Sequence, residues 1–347
     1  VQKAHERGMK VVLDAVYNHT GREFFAFADI LENGEKSKYR DWYFIDGFPL
    51  KSEWGEIPNF KCFGYYGGMP KLNLKNPEVE KYITDVACYW IKECDIDGWR
   101  LDVGDEISHF FWKNFRKAVK AVKKDMLIIG EIWHYAGDFL EGDEWDTVMN
   151  YPFYLNLIDL LADEKITVSQ FVQNLGYLKG RLNKNCYPLM WNLIDSHDTA
   201  RFLHLCNDNK KKQHLAAAFQ LLLPGMPMIY YGDEYAMPGA NDPDCRRGMY
   251  WDEEYQDKEM YEWYKRLIQV RKSHACIVEG ELAEIVTEDG EGTVVLIRKN
   301  GEETIAMIFN CSSSAKKFNA YTEKYNLLTE NTFDGNVEGF DAAVIVL

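Results

Sequence analysis

Val11-Val12-Leu13-Asp14-Ala15-Val16-Tyr17-Asn18-His19 is an apolar, strand-like run that ends in a carboxylate and further polar side chains, and three later runs repeat its plan. They read Gly98-Trp99-Arg100-Leu101-Asp102, Leu127-Ile128-Ile129-Gly130-Glu131 and Trp191-Asn192-Leu193-Ile194-Asp195-Ser196-His197-Asp198. A carboxylate is expensive to bury, so it belongs at a strand's solvent-facing end or in a site. Four such endings in sequence, separated by helix-like stretches, predict a ring of parallel strands whose C-terminal ends share one acidic pocket.

The flanking sequence fits a βα repeat. Residues 2–9 read as the end of a helix, with Gly8 as a stop signal before the strand at Lys10. From residue 20 to about 76 there is no sustained period, and so long an irregular stretch predicts a functional loop or a small subdomain. Pro77 suits a first helical position, opening a helix over 78–92. A strand at 96–103, a helix at 108–124, strands at 127–133 and 147–150, and helical segments to about 182 follow. Next come a strand at 188–196, a helix at 213–222, a strand at 228–233 ending in Gly232-Asp233-Glu234, and a helix at 258–273. Six strands alternating with helices imply a parallel sheet with right-handed crossovers. Beyond residue 276 short alternating runs, two of them separated by Asn300-Gly301, predict an antiparallel β domain over 276–347. The expected organisation is therefore a barrel at 1–19 and 77–275, an inserted loop-rich subdomain at 20–76 and a C-terminal β-sandwich.

The 347 residues carry a net charge of −15, from 40 basic and 55 acidic side chains, which argues against a nucleic-acid or anionic-membrane partner. The basic run Lys210-Lys211-Lys212 reads as a solvated surface loop. Ten Trp, 21 Tyr and 19 Phe supply a large core, with some rings left to line a cleft for the apolar faces of sugars. Eight cysteines without a Cys-x-x-Cys pair form neither a zinc signature nor a compact disulfide framework. They fit free thiols in a reducing cytoplasm. No stretch is long and apolar enough to cross a membrane.

Cleaving a bond between two sugars takes one protonated and one ionised carboxyl group on opposite sides of that bond. Arg100 and Asp102, two apart in a strand, point to one face. A fixed guanidinium lowers a neighbouring carboxyl's pKa and orients it, which suits a nucleophile. Glu131, flanked by Ile132 and Trp133, is placed for desolvation to raise its pKa, which suits a general acid. His19, His197 and Asp198 can hold substrate hydroxyls. Each motif alone is weak: ion pairs at strand ends are often structural, and a lone histidine is more often a satisfied loop residue. No His-Glu-x-x-His spacing supports a catalytic transition metal.

Taken together these motifs resemble the α-amylase family of glycoside hydrolases. The matching residues are Asp14-Ala15-Val16-Tyr17-Asn18-His19, Gly98-Trp99-Arg100-Leu101-Asp102-Val103, Gly130-Glu131-Ile132-Trp133-His134 and Ser196-His197-Asp198, with Tyr231-Gly232-Asp233-Glu234 and Met69-Pro70-Lys71-Leu72-Asn73. The last run and the Glu-Ile-Trp-His form look like the neopullulanase, cyclomaltodextrinase and maltogenic amylase branch. The resemblance implies a (β/α)8 barrel with a subdomain after the third strand and a C-terminal β-sandwich. It implies a retaining hydrolase of α-1,4 glucans (maltooligosaccharides, cyclomaltodextrins, pullulan or starch), with transglycosylation where a sugar acceptor competes with water. Asp102 would be the nucleophile, Glu131 the acid/base and Asp198 the group that grips the sugar. Asp14, Tyr17, His19, Arg100, Trp133, His134, His197 and Glu106 would bind substrate. No cofactor is required. Asn18 matches a position that binds structural calcium in many members, although this branch often lacks the ion. Val103-Gly104-Asp105-Glu106 departs from the branch's usual Ala-Asn-Glu. The full-length protein would be cytoplasmic and of a kind that forms homodimers.

Three expectations follow. The carboxyl groups of Asp102 and Glu131 should lie roughly 5–5.5 Å apart, as retention requires. Arg100 should touch Asp102, with Asp198 facing from the far wall and Phe63 near the pocket. Only six of eight barrel strands are counted, so Val1 reads as starting inside the second helix of a longer protein, leaving an open barrel with exposed, aggregation-prone edges at Lys10 and Met228. Activity is then expected of the full-length protein and only weakly of this piece alone. The competing class is a catalytically silent carbohydrate-binding barrel, which has no physical need to keep all three carboxylates.

Overall fold

A computed structural model of the chain describes residues 1–51 and 57–347. They form two compact units, Val1–Ile132 with Ala136–Met149, and Trp133–Tyr135 with Asn150–Leu347. In chain order the first unit contains α1 (Gln2–His5), β1 (Val12–Ala15), α2 (Phe25–Asn33), α3 (Pro77–Cys94), β2 (Gly98–Leu101), α4 (His109–Val122), β3 (Leu127–Gly130) and β4 (Thr147–Val148). Its strands pair in the order β1-β2-β3-β4, every pair parallel.

Local chemistry explains the helices. Asn76 caps α3 by accepting from the Glu78 N–H, and Pro77 fills a position whose N–H has no helical partner. Val79, Ile83, Ala87 and Ile91 then form its buried stripe, one residue per turn. Ser108 caps α4, which buries Phe111, Trp112, Phe115 and Val119 but leaves Phe110 exposed. Asp97, at the entry to β2, accepts from the Val11 N–H and from His5, Lys10 and Lys123, tying the start of the sheet together.

The segment 20–76 departs from its sequence reading, because it contains the helix α2. Within α2 only Ala26, Phe27 and Ile30 are buried, too few turns to establish a period. Residues 52–56 of this segment lie outside the described residues.

The second unit contains α5 (Tyr151–Leu157), α6 (Val168–Arg181), β5 (Trp191–Asn192), α7 (Phe202–Leu205), α8 (Lys210–Leu222), β6 (Met226–Pro227), α9 (Lys258–Ser273) and α10 (Ala275–Glu279). β5 and β6 pair in parallel. Both are shorter than the sequence suggests. Tyr187–Leu189 forms a 3-10 turn ahead of β5, and the strand expected at 228–233 sits earlier, with Met226 N–H on the Met190 carbonyl and Met228 N–H on that of Asn192. Pro227 has no N–H to donate between them. The lysine run is not a loop: Lys210–Lys212 is the first turn of α8, capped by Asn209, with Lys210 paired to Asp257 and Lys212 to Glu164.

The chain ends in β7 (Glu281–Glu288), β8 (Thr293–Asn300), β9 (Glu303–Asn310), β10 (Lys316–Lys317), β11 (Tyr325–Asn326), β12 (Asn331–Thr332), β13 (Asn336–Val337) and β14 (Asp341–Val346). Six of them form an antiparallel sheet in the order β12-β11-β14-β9-β8-β7, and β10 pairs with β13. The β8–β9 hairpin turns at Gly301, whose φ of +59° explains the Asn-Gly signal. Alternation splits the sheet's side chains. Val294, Leu296, Ile305, Met307 and Val344 share a core with α8, and Val295, Ala306, Ile308, Ala343 and Ile345 share another with Val337 of β13. Among the described residues no helix is long and apolar enough to cross a membrane.

Candidate active site

The parallel register of the first unit sets Asp14 of β1 opposite Arg100 of β2, and Leu101 opposite Gly130 of β3. Asp102 and Glu131 therefore leave adjacent strands at the same level. The Arg100 guanidinium joins all three acids: Nη1 lies 2.8 Å from Asp14 Oδ1 and 2.9 Å from Asp102 Oδ1, while Nη2 lies 2.8 Å from Glu131 Oε2. The expected Arg100–Asp102 contact is present, and the Glu131 contact goes beyond what the sequence suggested. Burial works against the arginine's charge, but Glu131, Asp14 and Asp102 outweigh it and hold the group above the ordinary arginine range.

The turn after Asp102 is strained. Val103 adopts a left-handed conformation, φ +47° and ψ +45°, which a β-branched residue rarely takes. This turns its N–H onto Glu131 Oε2 at 2.9 Å. Strain of this kind costs on the order of 1–3 kcal/mol and persists where surrounding contacts impose it. Here Gly104 donates its N–H to the Glu131 carbonyl and its own carbonyl takes the Trp112 indole N–H. A Cβ on Gly104 would meet the Trp145 ring at 2.8 Å, so this turn has no room for a side chain there.

Asn18 donates to Glu106 Oε2, and Lys71 Nζ reaches Asn18 Oδ1 at 2.5 Å and Glu106 Oε2 at 2.8 Å. The lysine ammonium thus supplies the positive charge that these oxygens face. The donor set does not fit a calcium ion at Asn18, and Glu106 is engaged in the same ion pair. His19 bridges to Lys71 and stacks on Phe63 at 5.4 Å. Burial lowers its pKa, against the charges of Asp102 and Glu106 and with that of Lys71, which favours a neutral imidazole. With Val16, Phe24, Tyr66, Met69 and Tyr82 it lines a hollow of about 510 Å³. Tyr17 also lines this hollow, with its ring packed between Trp99 and Phe115 and its hydroxyl buried.

In the second unit, Asp198 Oδ2 lies 3.1 Å from His197 Nε2, its Oδ1 accepts from Arg246 Nη2 at 3.1 Å, and its N–H donates to Ser196 Oγ. Arg246 is a partner that the sequence reading missed, and the only available signal was its place in an Asp-Pro-Asp-Cys-Arg-Arg run. Trp133 stacks on Tyr151 at 4.2 Å, and Tyr151 Oη bonds Ser196 Oγ at 3.1 Å. His134 is exposed, with Nδ1 near the Tyr135 carbonyl.

Parallel βα units thus carry carboxylates and an arginine at consecutive strand ends. The chain belongs to the α-amylase family, whose catalytic domain matches residues 1–255. It is 44% identical over 343 residues to a cyclomaltodextrinase of Geobacillus thermopakistaniensis (strain MAS1), covering 97% of this chain and 58% of the relative. It is 42% identical over 311 residues to neopullulanase 2 of Thermoactinomyces vulgaris, covering 89% of this chain and 53% of that protein. A solved cyclomaltodextrinase superposes with a TM-score of 0.94 at 38% identity, over 99% of this chain and 61% of the other. The fold class is a TIM-type barrel with a C-terminal β-sheet domain. The chain spans about half to three-fifths of the length of these relatives.

Proposed function

We infer that the full-length protein is a retaining hydrolase of α-1,4-glucosidic bonds in cyclomaltodextrins, pullulan, starch and maltooligosaccharides. The observation that carries this reading is the Arg100 guanidinium held between Asp102 and Glu131. Asp102 attacks the anomeric carbon as the bond to the leaving oxygen breaks, and Glu131 delivers a proton to that oxygen. Water then enters with Glu131 as base and releases the sugar, or a sugar hydroxyl enters instead and gives transfer. Asp198, steadied by Arg246 and His197, holds sugar hydroxyls, with Trp133 as an apolar platform. Asp14, His19, His134 and Glu106 complete the binding set, and Tyr17 supports it from the core.

The same reading takes the six parallel strands as strands three to eight of an eight-stranded barrel, with 20–76 inserted after the third and 276–347 as the C-terminal domain. It places the protein in the cytoplasm, in keeping with eight free thiols, acting on an α-glucan rather than on nucleic acid or membrane, and forming a homodimer. The Asp102→Asn variant tests the assignment. Reducing-sugar release from maltoheptaose should fall by about 10⁴-fold or more. Unchanged release would remove Asp102 from the nucleophile's role. Products from starch, β-cyclodextrin and pullulan run in parallel test the substrate class, with fast cyclodextrin opening and panose from pullulan expected. Binding of all three without cleavage would mark a silent carbohydrate-binding barrel.

A further inference from the structure

Behind the Ser196–His197–Asp198 turn lie two carboxylates that the mechanism does not use. Asp195 follows the apolar run of β5 and is 1% exposed. Asp233, in the loop after β6, is also 1% exposed, and Arg201 beside them is fully buried. Asp195 Oδ2 accepts the Phe202 N–H at 2.7 Å, and Asp233 Oδ1 takes Arg201 Nη1 at 3.2 Å. The remaining oxygens, Asp195 Oδ1 and Asp233 Oδ2, are buried and receive no N–H or O–H from any residue outside the pair among those described. The two carboxyl groups lie close enough to share a hydrogen bond. Two carboxylates can do this only with a proton between them.

Charge counting gives the same answer. Arg201 supplies one positive charge, its guanidinium lying over the rings of Tyr230 and Tyr231. Two ionised acids would leave a net negative charge sealed from water, which is far costlier than holding one proton. The other groups facing the pair do not neutralise it. Glu234 adds negative charge beside Asp233, and the phenols of Tyr264 and Tyr154 are neutral. Burial, then the neighbouring carboxylate, raises Asp233 well above the ordinary range, and burial raises Asp195 too.

We propose that Asp195 and Asp233 share one proton and that this bond is the pin that positions Asp198. The pin joins the two loops that build the Asp198 environment. Asp195 begins the turn that carries Ser196, His197 and Asp198. Asp233 and Arg201 fix the loop beyond β6, where Cys245 donates to the His197 carbonyl and Arg246 reaches Asp198. Arg201 also donates its backbone N–H to the Gly239 carbonyl in that loop. Asp195 and Asp233 are thus positioning residues, and their effect on catalysis rests on the hydrolase reading above.

The test is a charge count. Asp195→Asn and Asp233→Asn each replace the protonated acid by a neutral amide that can donate to the remaining carboxylate. Each single variant should fold and should lose less thermal stability than wild type as pH rises toward 9. In wild type an acid whose folded-state pKa is raised loses its contribution as pH climbs through that value. The double variant leaves Arg201 buried without a counter-charge and should melt on the order of 10 °C lower. Infrared difference spectra at pH 7 should show a protonated carboxyl stretch in wild type that either single substitution removes. Wild-type-like stability in the double variant, or no protonated band in wild type, would overturn proton sharing, whether or not the protein hydrolyses glucans. Positioning is read separately from cyclodextrin hydrolysis. Asp195→Ala should cut kcat by about 10²-fold, with Asp195→Asn restoring it and extending the alkaline limb of the pH–rate profile. Equal kcat in the Ala and Asn variants would refute the positioning role.

Discussion

Replacing Arg100 by Lys keeps the charge and removes the geometry, so it isolates what the guanidinium does. Its Nη1 serves Asp14 and Asp102 while Nη2 serves Glu131, all within 2.9 Å. An ammonium is a single point and cannot occupy both nitrogen positions. The cost depends on which acid is abandoned. The Asp14 side chain is 53% exposed and its pair contributes about 0–1 kcal/mol, whereas Glu131 is 7% and Asp102 20% exposed. Leaving a buried partner of such a pair uncompensated costs about 3–5 kcal/mol. Lys should recover part of this by pairing with one acid, and Arg100→Met should recover none. The expected order of thermal midpoints is therefore wild type, Lys, Met, with Met lower than wild type by on the order of 10 °C. Loss of alignment between Asp102 and Glu131 should reduce kcat for maltoheptaose by about 10²-fold even in the Lys variant. Circular dichroism melts and reducing-sugar assays on the same preparations measure both. An Arg100→Lys protein with wild-type melting and more than a third of wild-type kcat would refute the bridging argument.

Three further outcomes are expected. Asp97 is held well below the usual carboxylate range, because the Val11 N–H, His5, Lys123 and Lys10 outweigh its burial. Its stabilisation is present above the unfolded pKa of about 4 and is lost as pH falls below it. Asp97→Asn should therefore cost about 3 kcal/mol at pH 7 in urea melts, a deficit that shrinks gradually below pH 4 and vanishes only below the depressed folded-state value, and a deficit that does not shrink between pH 4 and pH 2 would contradict the assignment. Asp341 runs the other way: burial pushes it up to about 6, with His214 Nδ1 3.5 Å away. Wild type should lose about 1–2 kcal/mol between pH 4 and 6 that Asp341→Asn does not lose, allowing for its partial exposure; parallel stability curves would exclude this. A Cβ at Gly130 would come within 2.2 Å of the fully buried Trp145 ring. Gly130→Ala should thus destabilise by about 1–3 kcal/mol and displace Glu131, seen as a fall in kcat; unaltered melting and activity would show that Trp145 can move aside.

The apolar runs ending at Asp14, Asp102, Glu131 and Asp198 were legible as strand ends because periodicity and polarity are local properties. The same is true of the Pro77 helix start and of the Asn300-Gly301 hairpin. The placement of Arg100 beside Asp102 follows from the two-residue repeat of a strand, so that contact could be read in advance. Its reach to Asp14 and Glu131 could not, because it depends on the parallel register of three strands brought together from separate parts of the chain. Lys71 entering the Asn18–Glu106 pair, Arg246 finding Asp198 and the left-handed turn at Val103 are likewise products of packing. Asp195 is the sharpest case. The sequence marks it only as another acid after an apolar run, and whether such an acid faces water, substrate or a second buried carboxylate is decided by what folds over it. Local patterning determines which residues can form an element. Only the tertiary structure decides which charges are sealed together and must neutralise one another.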